Sequence, residues 1–338
     1  MPTSRKGATV RCFITGITGF IGSYLAQALL KEGHEVAGLM RQTNRLNYPS
    51  VAKLRGQVEF HYGSLTDLSA VTQALREFRP DAICHLGAIT PVAYSFDHPH
   101  EVTETNYLGT INLAESALKH CPNLKRFIFA SSMETYGFQS KREPFIETDE
   151  SRPACPYAVA KVAGEKYLQY LHYAHQFPAV SFRQTNAYGR KENDYFVVEA
   201  IITQMLKGRE VNLGDSRPIR NFIFIDDLVA LYSKMLVAPD SVNGEVFNTG
   251  PDNGVTIEEL RNLCKQIIGW EGVTNWNTRP RRPGEIFYLN SSCEKVRKAI
   301  GWRPRVNLVD GLARTVEIWA DNLGLTKAVQ AFYAGATE

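Results

Sequence analysis

The sequence predicts an α/β protein built on a doubly wound parallel sheet, with a smaller, interleaved lobe drawn from the C-terminal part of the chain. Three observations predict it. Apolar strand-like runs alternate with helix-period segments, through short connections, up to about residue 180. A glycine turn, Gly16-x-x-Gly19-x-x-Gly22, joins the first apolar run to the first helical one. Beyond about residue 180 the alternation loosens, with longer loops around 190–195, 215–220 and 277–284.

Residues 10–14 form a short apolar strand, and 23–30 carry a helical period that stops at Gly33. Strands follow at 36–40, 58–62, 82–86 and 127–130, and helices at 68–78, 102–120 and 157–172. The run 221–225 reads as a further buried strand that interleaves with the sheet. The domain division expected is therefore 1–180, with a returning segment near 220–238, and a second lobe made mainly of 181–338.

The chain has 338 residues, 44% apolar and 22% charged, the composition of an ordinary soluble globular protein. Its net charge of +3 comes from interspersed signs, and the densest basic stretch is Arg279-Pro280-Arg281-Arg282. That is too short for a nucleic-acid arm. Six cysteines are scattered without a Cys-x-x-Cys or a zinc spacing, so reduced buried thiols, no metal and a cytoplasmic setting are expected. The N-terminus lacks the apolar core of a signal peptide, and no 18-residue apolar run marks a membrane span.

The glycine turn sits where a strand opens into a helix. The first glycine permits the tight turn, the second lets backbone approach a pyrophosphate, and the third lets helix and strand pack closely. The segment Gly16, Thr18, Gly19, Phe20, Ile21 and Gly22 is thus a candidate dinucleotide-binding site. NAD enzymes usually end the second strand on an acid; here it ends Leu39-Met40-Arg41-Gln42-Thr43. A guanidinium at Arg41 suits a 2′-phosphate, so NADP is favoured, with NAD possible if Arg41 stacks on adenine.

Tyr157 and Lys161 stand four apart on a helical segment, which puts phenol and ammonium on one face. A fixed positive charge is expected to lower the phenol pKa and suit it to proton transfer. Ser131-Ser132-Met133-Glu134-Thr135-Tyr136-Gly137 precedes them.

These residues resemble the extended short-chain dehydrogenase/reductase family, the NAD(P)-dependent nucleotide-sugar epimerases and dehydratases with a Rossmann-type domain. The resemblance spans roughly 10–320 and includes His85-Leu86-Gly87-Ala88, Asn106-Tyr107-Leu108-Gly109-Thr110, Arg183-Gln184-Thr185-Asn186, Arg220-Asn221-Phe222 and Arg282-Pro283-Gly284-Glu285. It implies that Tyr157 is the base for a sugar hydroxyl, that Ser132 hydrogen-bonds the same hydroxyl, and that Lys161 binds the nicotinamide ribose. Ser64, Leu65, Leu86, Gly87, Ala88 and Asn106 would complete the cofactor site. Ser95, Met133, Asn186, Arg220 and Arg282 would contact the substrate, with Asn186 and the two arginines on its diphosphate. His85 is expected to be a strand-end residue near the cofactor rather than a catalyst.

The resemblance is closest to GDP-mannose 4,6-dehydratase-like members, and Glu134 stands where dehydratases keep the base for C5. Met133 replaces the aspartate that some of them use as leaving-group acid, Ser64 an adenine-contacting aspartate, and Asn221 an aspartate. The expectation is an NDP-hexose 4,6-dehydratase. The alternatives are a C4 or C2 epimerase, a 4-keto-sugar reductase, a UDP-glucuronate decarboxylase, or a non-catalytic nucleotide sensor. The helices over 102–120 and 157–172 resemble the pair that builds a four-helix homodimer interface in this family.

Overall fold

The computed structural model describes residues 9–42 and 49–325. The chain divides into two compact units. One comprises 1–131, 160–182 and 232–246, and the other 132–159, 183–231 and 247–338.

A seven-stranded sheet, most of it in the first unit, is assembled from β1 (Arg11–Thr15), β2 (Glu35–Met40), β3 (Glu59–Tyr62), β4 (Ala82–His85), β5 (Arg126–Ser132), β6 (Ala179–Gln184) and a seventh strand, Val246–Thr249. The order across it is Val246–Thr249, β6, β5, β4, β1, β2, β3. The pairs from β3 to β5 are parallel, with Cys12 opposite Val36 on one side and Ala82 on the other. Strand order reverses at β1, where β2 lies to one side and β4 to the other; ligands of doubly wound sheets bind outside the strand ends at such a point.

Phe13, Ile83, Phe127 and Phe129 supply the sheet side of the core, and Leu75, Phe78, Leu113, Ala117, Leu168 and Leu171 the helix side. Burial on both faces is why these strands read as continuous apolar runs. The helix Leu68–Phe78 begins on Asp67, whose carboxylate accepts the Ala70 amide, and ends on Arg79 in a left-handed conformation. All six cysteines are free and buried.

The run 221–225 does not join this sheet. Phe222–Phe224 is a short strand paired in parallel with Asn186–Tyr188 in a separate two-stranded sheet, and Ile225–Leu236 is already helix. A short apolar run announces burial but not its partner.

In the second unit, a three-stranded sheet orders Val255–Thr256, Ile219–Arg220 and Tyr288–Leu289. Met133, Tyr136, Phe145, Ile286, Tyr288 and Leu289 form a buried cluster. Asn221 is fully buried; its amide donates to Pro251 O and Asn290 Oδ1, and its carbonyl accepts the Ser291 amide. Arg190 lies 3.8 Å over the Phe196 ring and pairs with the fully buried Glu199 at 3.2 Å. Asn221, which stands in place of an aspartate, is thus tied into the fold by its own side chain.

Candidate active site

The first helix, α1 (Phe20–Lys31), starts at Gly19 with no side chain capping it, so its first amides carry the helix's positive end without an internal partner from a cap. Gly16 has φ +70°, and a Cβ there would lie 2.8 Å from Gly87 N. A Cβ on Gly22 would lie 2.2 Å from Gly16 O. Only glycine fits at these two positions. The resulting bare backbone turn on a helix N-terminus fits a dinucleotide pyrophosphate.

Neighbouring candidates close around the same turn. Leu65 is buried, and its side chain lies where a Cβ on Gly87 or Gly109 would fall, at 3.0 and 2.8 Å. The Leu86 amide donates to Thr15 O, the Gly87 amide to Thr15 Oγ1. Leu86, Gly87 and Ala88 are half-buried. Asn106 is buried in a π-helical turn, Glu104–Leu108, that interrupts the helical stretch read at 102–120. Its side chain accepts the Ile89 amide at 2.8 Å and donates to the Ile89 carbonyl at 2.9 Å. Asn106 therefore fixes the loop after β4. Phe20 packs edge-on to Tyr24, Ser64 shares a hydrogen bond with Thr66, and Arg41 is exposed at the end of β2. The buried Ser95 hydroxyl donates to the Val92 carbonyl of its own helix turn.

His85 is a neutral structural bridge. Thr110 donates its hydroxyl proton to Asn106 O and so accepts from His85 Nε2 at 2.9 Å; Nδ1 then accepts from Thr15 at 2.7 Å. Burial, and next the charge of Lys161, push its pKa down to about 3. This matches a strand-end role.

Tyr157 and Lys161 lie on one helix, Pro156–His175. The lysine is buried. Its ammonium donates to Ala130 O at 2.6 Å and sits 4.8 Å over the Phe129 ring, both on β5. Burial lowers its pKa to about 7, and Glu165, one turn further on, works against that fall. Ser131 donates to the buried Glu165 carboxylate at 2.5 Å. The expected lowering of the Tyr157 pKa is not found in the chain alone. Burial raises it, a hydrogen bond with Ser132 opposes the rise, and Glu134 adds to it. The spacing was right, but desolvation outweighs any help from a lysine that is itself desolvated.

In the second unit, Ser132 Oγ accepts the Glu134 amide at 3.2 Å as well as meeting Tyr157. Glu134 is half-buried, and its charge acts on Tyr157, Arg220 and Arg282. Met133 is buried, with its sulfur 3.9 Å from the Asn186 amide nitrogen, which also donates to Asn221 O. Arg220 is buried and donates to Ile219 O and Ile286 O. Arg282 donates from Nε and Nη2 to the two Glu285 oxygens, and Arg220 lies 3.9 Å from the same carboxylate. Ser132, Glu134, Tyr157, Arg220 and Arg282 are thereby linked. Sequence reasoning missed three residues: Ser131, Glu165 and Glu285. The i, i+4 spacing of Lys161 and Glu165 and the i, i+3 spacing of Arg282 and Glu285 were the available signals.

Among the described residues there is no cluster of metal-ligating side chains and no helix long and apolar enough to cross a membrane. The family model for GDP-mannose 4,6 dehydratase matches residues 13–315. A dTDP-glucose 4,6-dehydratase from Streptomyces niveus is 31% identical over 93% of this chain and 94% of its own. A UDP-glucose 4-epimerase from Thermotoga maritima, solved with UDP-glucose, superposes with a TM-score of 0.84 at 30% identity, over 92% of this chain and 99% of its own. The Thermus thermophilus UDP-glucose 4-epimerase, solved with NAD, gives a TM-score of 0.81 at 30% identity, over 91% and 98%. The turn, the Ser–Tyr–Lys set and these matches agree: the chain belongs to the GDP-mannose 4,6-dehydratase family, within the extended short-chain dehydrogenase/reductases that act as NAD(P)-dependent nucleotide-sugar dehydratases and epimerases.

Proposed function

We propose that this chain is an NDP-hexose 4,6-dehydratase. The observation that carries the reading is Glu134, close enough to Tyr157, Arg220 and Arg282 for its charge to act on all three. Arg220, Arg282 and Asn186 bind the substrate diphosphate, where forked guanidiniums match phosphate oxygens. A bound nicotinamide supplies the hydride acceptor and donor. Tyr157 takes the C4 hydroxyl proton, with Ser132 holding that hydroxyl. The C4 ketone acidifies C5–H, and Glu134 removes that proton as the C6 hydroxyl departs as water. Met133 has no proton to give, so the proton taken by Glu134 is the one at hand for the departing oxygen.

Solvent deuterium tests this. Elimination places deuterium at C5 of a 4-keto-6-deoxy product, and Glu134→Gln should abolish both the incorporation and the loss of water. Turnover of nucleotide sugars with no C5 deuterium and no change of mass overturns the dehydratase. C4 epimerisation is the second reading, favoured by Met133 lying buried where a leaving-group acid would stand.

Arg41, exposed at the end of β2, supports a preference for NADP; Arg41→Ala should shift that preference toward NAD. Exposed Leu108, Tyr170 and Tyr173 on the helical segments 104–120 and 156–175 support homodimerisation through these helices.

A further inference from the structure

We infer that Glu165 is a positioning residue for Lys161: anchored by Ser131, its carboxylate holds the lysine side chain charged against the end of β5. The inference rests on the reading of Lys161 as a cofactor- and tyrosine-assisting group.

Two consecutive β5 residues each receive one member of a helical i, i+4 pair. Ala130 takes the Lys161 ammonium at its carbonyl, and Ser131 donates its hydroxyl to Glu165. Both ionisable side chains are almost wholly buried, Lys161 at 2% exposed and Glu165 at 1%. Burial disfavours a charged ammonium, and a buried lysine sheds its proton unless a nearby anion offsets the lost water. β4 presents His85, which is held neutral; β5 contributes the Ala130 carbonyl and the Phe129 ring; the helix itself carries Tyr157 one turn before and Glu165 one turn after. Glu165 is the anion whose charge favours protonated Lys161 against its burial. The Ser131 hydroxyl fixes that carboxylate in place. A neutral Lys161 would keep its shape but lose the positive charge one turn from Tyr157.

The test uses the holoenzyme and follows turnover and retained dinucleotide against pH. Glu165→Gln preserves shape and the acceptor for Ser131 but removes the charge. It should move the alkaline limb of kcat about one pH unit lower and release dinucleotide at correspondingly lower pH, with near-normal turnover on the acid side. Glu165→Asp keeps the charge one methylene further away and should move the limb by less. Ser131→Ala, which keeps the charge, should move it least. An unmoved limb in both Glu165 variants, or a loss equal at every pH, overturns the inference. If Glu165→Gln does not fold, the shift in Glu165→Asp decides. Lys161→Met separates the two levels: normal turnover and cofactor content there would sink the reading of Lys161 itself, whereas loss in Lys161→Met beside an unmoved Glu165→Gln profile sinks only the role of Glu165.

Discussion

Arg282 holds Glu285 by two hydrogen bonds, Nε to Oε2 at 3.1 Å and Nη2 to Oε1 at 2.7 Å, while Arg220 stands 3.9 Å from the same carboxylate. Two guanidiniums share one anion, and each keeps donors over for another. Burial alone would raise the Glu285 carboxyl, but the two arginines outweigh it and hold it below the ordinary carboxylate range.

Arg220→Ala should raise KM for the nucleotide sugar more than Arg282→Ala does, because Arg220 is the more buried, with its side chain 9% exposed against 36%. Losing one partner of a buried charge pair costs about 2–5 kcal/mol, or about 30-fold and upward in binding. Cofactor content should stay normal in both. Titration of nucleoside diphosphates into the variants checks this, and unaltered affinity in both would place the diphosphate elsewhere.

Tyr157→Phe should lower kcat by about 100- to 10,000-fold while diphosphate binding survives, since a positioned acid–base group is lost and little volume changes. Ser132, which hydrogen-bonds the phenol, is an aliphatic hydroxyl and a poor acid or base in its place. Steady-state kinetics with each nucleotide sugar is the measurement, and a near-wild-type kcat would make the tyrosine structural.

Gly19→Val should abolish cofactor retention without unfolding the chain. Gly19 has extended backbone, and a Cβ there meets only Gly16 O, at 3.1 Å. The added methyls would crowd the α1 amides from a ligand's side. Absorbance of dinucleotide released on denaturation, beside circular dichroism, reads both halves of the expectation.

Acid should destabilise the first unit through His85. Its pKa is about 3 folded and near 6.5 unfolded, so between those values the unfolded chain binds the extra proton. The contribution is intact above about pH 6.5 and is lost as pH falls toward 3, at about 1.4 kcal/mol per unit. His85→Asn should be less stable at pH 7 but lose stability less steeply with acid. Thermal denaturation from pH 7 to 4 compares the slopes, and equal slopes would mean His85 is not held neutral.

The strand, glycine turn and helix at the start were legible because each carries a local rule: an apolar run, a turn that only glycine fits, a 3.6-residue period. The Tyr157–Lys161 face was legible for the same reason. The partner of 221–225 was not, because an apolar run encodes burial and leaves pairing to the rest of the chain. Nor was the ionisation of Tyr157 and Lys161, which depends on how completely the surrounding fold removes water. Glu285 and Glu165 were in view as letters, but their roles arise from the side chains they meet.

The strand Val246–Thr249 borders β6, where the Ser181 amide donates to Glu245 O. During synthesis, β1 to β6 leave the ribosome well before that border exists. Until residue 249 emerges, β6 is an edge strand with unpaired backbone groups, the kind of surface that recruits another nascent chain or a chaperone. Truncations ending just before Val246 should therefore aggregate during translation more than those ending just after Thr249.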